Sequence, residues 1–218
     1  MNYYVRPSSQ RSAISPQSFV ALGDSLTAGQ GDLDAQGRPV GWARRLCSLL
    51  TQRTGLPYFL TNLAVNRATV AEVLADQLPA LSGAHPDLIT FSTGINDIRG
   101  AFRKDAFAAQ IDRAYAGATA TGATVATMTL PNIVAMLPVP AELLDVAREL
   151  MEQANDAIRC AARAHGVLFV DAWYSPEVAD PDFWSEDRVH PNARGHQLIA
   201  EAFADLLSAS MLAGARDT

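Results

Sequence analysis

Short apolar runs rich in β-branched and aromatic residues alternate along the chain with longer stretches whose apolar residues return at helical spacing. Phe19–Gly23, Tyr58–Val65, Leu88–Ser92, Thr124–Met128 and Val167–Val170 read as strands. Gly41–Thr54, Thr69–Leu81, Lys104–Thr121, Ala141–Ala164 and Pro191–Leu212 read as helices. Gly55, Gly122 and Gly166 stand just past three of these helical stretches, where a left-handed glycine ends a helix. Regular alternation of strand and helix predicts a parallel sheet with helices on both faces, an α/β domain of three layers. Ligands of such sheets bind beyond the carboxyl ends of the strands. The chemistry is therefore sought in segments that follow strands, or that lie near the chain's end.

Composition narrows the picture. A chain of 218 residues suits one domain with a full core. Residues 1–17 are polar and Pro-containing and read as a loose arm; the domain is expected over 18–213, with a tail at 214–218. The net charge is −6 and the 17 Lys and Arg are scattered, which argues against a nucleic-acid partner. Cys47 and Cys160 fall in helical stretches without Cys or His at zinc-ligand spacing, so two reduced, packed thiols are expected, with no zinc site and no disulfide. No apolar run is long enough for a signal peptide or a bilayer span, which predicts cytoplasmic residence without stable membrane insertion. His85, His165 and His196 lack ligand spacing and read as structural. Gly29-Gln30-Gly31-Asp32 has the glycines of a phosphate loop but not its Lys and Ser/Thr. The oligomeric state is left open.

Three segments carry candidate chemistry: Gly23-Asp24-Ser25-Leu26, Gly94-Ile95-Asn96-Asp97 and Asp187-Arg188-Val189-His190-Pro191. Ser25 follows a strand and a glycine, a nucleophile's position, although a serine there also serves as a helix cap. Asp187 and His190 are spaced so that one turn brings the carboxylate to the imidazole Nδ1 and leaves Nε2 for a serine. The alternative is that His190 caps the last helix while Asp187 pairs with Arg188. Asn96 follows a strand and projects an amide toward the same crevice, as an oxyanion donor or as a turn residue bonded to its own backbone. Asp97 reads as a carboxylate that ties down its loop.

These blocks resemble the SGNH subgroup of the GDSL esterase and lipase family, in matching order from about Phe19 to Phe203. The resemblance implies a flavodoxin-like sheet of five parallel strands, Ser25 as nucleophile, Asn96 and the Ser25 backbone N–H as oxyanion donors, and no metal or organic cofactor. Asn62-Leu63-Ala64-Val65-Asn66-Arg67-Ala68-Thr69 is similar to the family's second block, with Arg67 where the family has its oxyanion-hole glycine. Arg67 retains the backbone N–H. A left-handed conformation there costs a non-glycine residue about 1–2 kcal/mol. Its guanidinium either enters the crevice and selects an anionic substrate or turns to solvent.

The apolar, Pro-punctuated segment Thr129–Pro140, with Ile133 inside it, either roofs a substrate pocket or covers the sheet's end as core. Asp24, Ile95, Ile133, Arg67 and Trp184 are the candidate substrate contacts, and Trp184 also suits plain packing. Trp42 and Trp173 read as core. The expected activity is hydrolysis of a small-molecule acyl ester through an acyl-serine. An acyltransferase using the same acyl-enzyme and a catalytically silent binding module are the alternatives.

Overall fold

The computed structural model describes residues 15–136 and 140–214. The elements are, in order, β1 (Gln17–Gly23), α1 (Ser25–Ala28), α2 (Gly41–Thr54), β2 (Tyr58–Asn62), α3 (Val70–Glu72), β3 (Leu88–Ser92), α4 (Ile95–Ile98), α5 (Lys104–Thr119), β4 (Thr124–Met128), α6 (Leu144–His165), β5 (Leu168–Val170) and α7 (Ala193–Gly214). β1 takes in Gln17, at the end of the expected arm; residues 1–14 and 215–218 lie outside the described residues, as do Leu137, Pro138 and Val139 of the apolar segment.

The five strands form one sheet in the order β2-β1-β3-β4-β5, and every pairing is parallel. This is the flavodoxin-like order, in which the chain steps from β1 to one side and then returns to β1's other side. Right-handed crossovers put α2 on one face and α5 and α6 on the other; accordingly α2 packs on α7, and α5 on α6. The two faces bury Trp42, stacked at 4.7 Å on Phe203, and Phe91, edge-on at 5.5 Å to Tyr115. β3 is buried along its whole length, as a central strand covered on both faces must be. The carboxyl ends of β1 and β3 flank the reversal of direction, the place where this topology opens a crevice.

Two elements differ from their predicted forms. β2 ends at Asn62 rather than Val65, yet the Leu63 and Val65 N–H groups still donate to the Ala21 and Gly23 carbonyls, so the chain keeps beside β1. The expected helix over Thr69–Leu81 starts with a Thr69–Glu72 capping box but passes into a π-helical turn at Val73–Gln77 and a tight turn at Leu78–Leu81. Pro79 has no N–H to continue a helix, and the wide turn accompanies an inward Gln77. Buried Gln77 accepts from the Gly23 N–H and donates to the Gly23 carbonyl, both at 2.8 Å. Gln77→Leu strands the buried Gly23 N–H, at about 1–3 kcal/mol, while the Gly23 carbonyl keeps the Val65 N–H as a partner. Urea unfolding should therefore report a loss of about 2 kcal/mol, and an unchanged midpoint would contradict this role.

Cys47 is partly buried and donates its S–H to the Tyr58 carbonyl at 3.2 Å. Cys160 is exposed on α6, so only one of the two thiols is packed as expected; both are free. The helix covers the sheet with Ile158, Ala161 and Ala162 instead.

Candidate active site

Gly23 ends β1 with φ 155°, and a Cβ on it would lie 2.2 Å from the Ser92 carbonyl oxygen, so only glycine lets β1 turn this close to β3. Asp24 follows in extended conformation and caps α1, accepting from the Leu26 N–H at 3.0 Å. Ser25 is the first residue of α1, and its backbone N–H has no intrahelical acceptor.

At the far end of the chain, Asp187–His190 forms a tight turn with Arg188 left-handed at φ 55°. Asp187 Oδ1 accepts from the Val189 and His190 N–H groups and the Ser185 hydroxyl, while Oδ2 meets His190 Nδ1 at 2.7 Å. Burial pushes the Asp187 carboxyl up, but the hydrogen bonds from His190, Val189 and Ser185 outweigh it and hold the group well below the usual carboxylate range. With an ionised carboxylate as its partner, Nδ1 carries the proton and Nε2 is the acceptor. His190 Nε2 lies 2.9 Å from Ser25 Oγ. Asn192 rather than His190 caps the last helix, its Oδ1 accepting from the Arg194 and Gly195 N–H groups.

The Asn96 side of the site is built from two loops clamped together. Thr93 Oγ1 and Asn96 Nδ2 both donate to the Ala68 carbonyl, at 2.9 and 3.1 Å, and the Asp97 carboxylate accepts from the Val70 N–H at 3.1 Å. Asp97 thus ties its loop to the neighbouring one, and burial raises it to about 6. The second contact of Asn96 Nδ2, to Asp24 Oδ2, is 3.4 Å, beyond the length of a strong bond, which leaves one amide hydrogen for a ligand. Arg67 is left-handed at φ 69°, so this chain does carry an arginine in the conformation glycine favours. Among the described residues neither the Arg67 nor the Ser25 backbone N–H donates to a protein acceptor. An oxyanion donor needs that freedom.

Ser25, Asn96, Arg67 and His190 all border one cleft of about 900 Å³, as do Ile95, Ile133 and Trp184. Ile133 borders the cleft and is at the same time buried core. Trp184 is buried, stacks edge-on with Phe183 and donates its indole N–H to the Val178 carbonyl at 2.9 Å. Asp24 borders the cleft, yet its carboxylate is taken up by the Leu26 N–H and the Thr93 hydroxyl.

Two further residues shape the site in ways their sequence positions did not predict. Asn155, fully buried on α6, accepts from the Leu130 N–H and donates to the Leu130 carbonyl, fixing the cleft wall just past β4. Gly31 packs against the histidine turn, where a Cβ would lie 2.2 Å from the Pro191 carbonyl oxygen. The closely spaced glycines after α1 therefore make room for His190. His196 is buried, accepting at Nδ1 from the Trp42 N–H and donating from Nε2 to the Gln30 carbonyl.

Asp24 makes the site pH-sensitive. Burial pushes its carboxyl up to about 6, against the lowering influence of the Leu26 N–H, the Thr93 hydroxyl and His190, with the Asp97 charge adding to the rise. The folded state therefore holds this proton more tightly than the unfolded chain, and stability falls as pH rises from about 4 to about 6, by about 3 kcal/mol from this group. Burial lowers His196 and so acts in the opposite sense over part of the range. The difference between wild type and Asp24→Asn isolates the Asp24 share, and parallel stability–pH curves for the two proteins would show that Asp24 is not the source.

Sheet order, serine turn and imidazole chain define a three-layer α/β protein of the esterase kind. The chain belongs to the GDSL-like lipase/acylhydrolase family, whose model matches residues 21–198, and it is a serine ester hydrolase. Solved structures share the fold. An α/β hydrolase enzyme, LAE5, from the metagenome of Lake Arreo is 24% identical, with 87% of this chain and 94% of that one covered at a TM-score of 0.70. The acetylxylan esterase Axe2 of Geobacillus stearothermophilus is 21% identical, with 88% and 95% covered and a TM-score of 0.71. The psychrotrophic esterase EstA of a Pseudoalteromonas species, in a form inhibited by monoethylphosphonate, is 17% identical, with 89% and 98% covered and a TM-score of 0.70. No curated protein sequence matches the chain. No helix among the described residues is long and apolar enough to cross a membrane.

Proposed function

We propose that the enzyme cleaves carboxylic esters by a Ser25–His190–Asp187 triad. The observation that carries this reading is the continuous path from Asp187 Oδ2 to His190 Nδ1 at 2.7 Å and from His190 Nε2 to Ser25 Oγ at 2.9 Å. Ser25 Oγ attacks the acyl carbon as its proton passes to His190 Nε2. The negative charge that develops on the carbonyl oxygen is held by the backbone N–H groups of Ser25 and Arg67 and by Asn96 Nδ2. The C–O bond to the alcohol then breaks, and His190 returns the proton to the leaving oxygen. A water, deprotonated by His190, attacks the acyl-serine; the proton goes back to Ser25 and the acid departs. Asp187 keeps the imidazole in the Nδ1–H tautomer throughout.

The unit that does this spans residues 18–213, uses no metal or organic cofactor and works without nucleic acid. A reducing cytoplasm suits its two free thiols. A p-nitrophenyl alkylphosphonate tests the nucleophile directly. One adduct per chain is expected, mapping by peptide mass to Ser25, with release of one equivalent of nitrophenol; labelling elsewhere, or none, counts against the triad.

A further inference from the structure

The cleft beside Ser25 has walls of two kinds. Leu143, the residue just before α6, and Val146 and Leu150 in the helix's first turns border it, at three- and four-residue spacing, as do Ile95 and Ile133. Leu143 and Val146 are about half exposed, at 48% and 50%, so this apolar stripe is open to the cleft rather than sealed into the core. The cleft's arginines are Arg67 and Arg99. They sit on the two loops that Thr93, Asn96 and Asp97 clamp together, one residue before Ala68 and one residue after Ile98. Both are exposed, and among the described residues neither has a carboxylate within ion-pair distance.

The cleft's carboxylates do not answer them. Asp24 and Asp187 are taken up by the hydrogen bonds described above, Glu177 accepts from Ser175, Glu201 from Gln197, and Asp205 from Arg53. Two arginines without a carboxylate partner, bordering a cleft that has an apolar wall, match a ligand that is aliphatic along one part and anionic at another. Arg67 also holds its left-handed backbone beside the oxyanion position, a conformation the usual glycine adopts without strain.

Building on the triad reading, we infer that the substrate is an amphiphilic ester. Its aliphatic acyl chain lies along the α6 stripe and Ile133, and its alcohol carries a phosphate or carboxylate held by Arg67 and Arg99.

The test compares kcat/KM for 1-octanoylglycerol, 1-octanoylglycerol 3-phosphate and 1-acetylglycerol 3-phosphate below their micelle thresholds, beside p-nitrophenyl butyrate. At low ionic strength the octanoyl phosphate ester is expected to exceed the neutral octanoyl ester, and to exceed the acetyl phosphate ester, each about tenfold. The first preference should shrink in high salt, because exposed charges are screened. It should approach unity in an Arg67→Gly/Arg99→Gln protein, in which glycine suits the backbone at 67. Reading ratios within each protein cancels any change in the common chemistry. Equal rates on the neutral and phosphate octanoyl esters, or a preference that survives both substitutions, overturn the anionic half of the inference; equal rates on the acetyl and octanoyl phosphates overturn the aliphatic half. Turnover of p-nitrophenyl butyrate in those cases leaves the triad standing, whereas silence on all four esters overturns the triad and this inference with it.

Discussion

Ser25→Ala is expected to lower kcat on p-nitrophenyl butyrate by about 10⁶-fold, the order of loss seen when a serine hydrolase loses its nucleophile. The hydroxyl is small and its turn is held by the capping Asp24 and by Gln77, so the variant should unfold at the same urea concentration as wild type. A folded variant that retains more than a few per cent of the activity would mean that another group attacks the ester. What persists after the substitution measures the oxyanion donors and the cleft acting on water.

Asp187→Asn is expected to cost about 10³–10⁴-fold in kcat with little change in KM. The reason is local. Oδ1 of Asp187 accepts from two backbone N–H groups and the Ser185 hydroxyl, and an asparagine oxygen will keep that place. The asparagine NH₂ then faces His190 Nδ1, which becomes an acceptor, and the ring proton moves to Nε2. An Nε2–H cannot take the proton of Ser25. Full activity in the variant would assign Asp187 to shaping the turn alone.

The strands and the three candidate blocks were legible because they are governed by local rules. Leu88–Ser92 and Thr124–Met128 lie inside a sheet covered on both faces, and such strands appear as short runs of apolar residues and Thr or Ser, without charged residues. Ser25, Asn96 and His190 each follow a strand or sit in a short turn whose spacing limits where the side chain goes. Gln77 was not legible, since a polar residue within a helical pattern ordinarily faces water, and its partner Gly23 is 54 residues away. Asn155 is hidden for the same reason, 25 residues from Leu130. The break in the Thr69–Leu81 helix follows from that tertiary bond together with Pro79, and only the proline is visible in sequence. At Arg67 the motif gave the position and its departure from glycine, while the left-handed backbone and the neighbouring Arg99 had to come from the fold.

The two buried amides have a consequence for how the molecule opens. In most sheets the strand ends fray first, because the ladder stops there and water competes for the last backbone groups. Here Gln77 and Asn155 each grip both polar groups of one residue at the catalytic edge, Gly23 at the end of β1 and Leu130 beyond β4. The helix layer thereby extends the ladder past its last strand residue. The edge that carries the serine is bound to the cooperative unit of the whole domain, and loosening it requires lifting helices from the sheet.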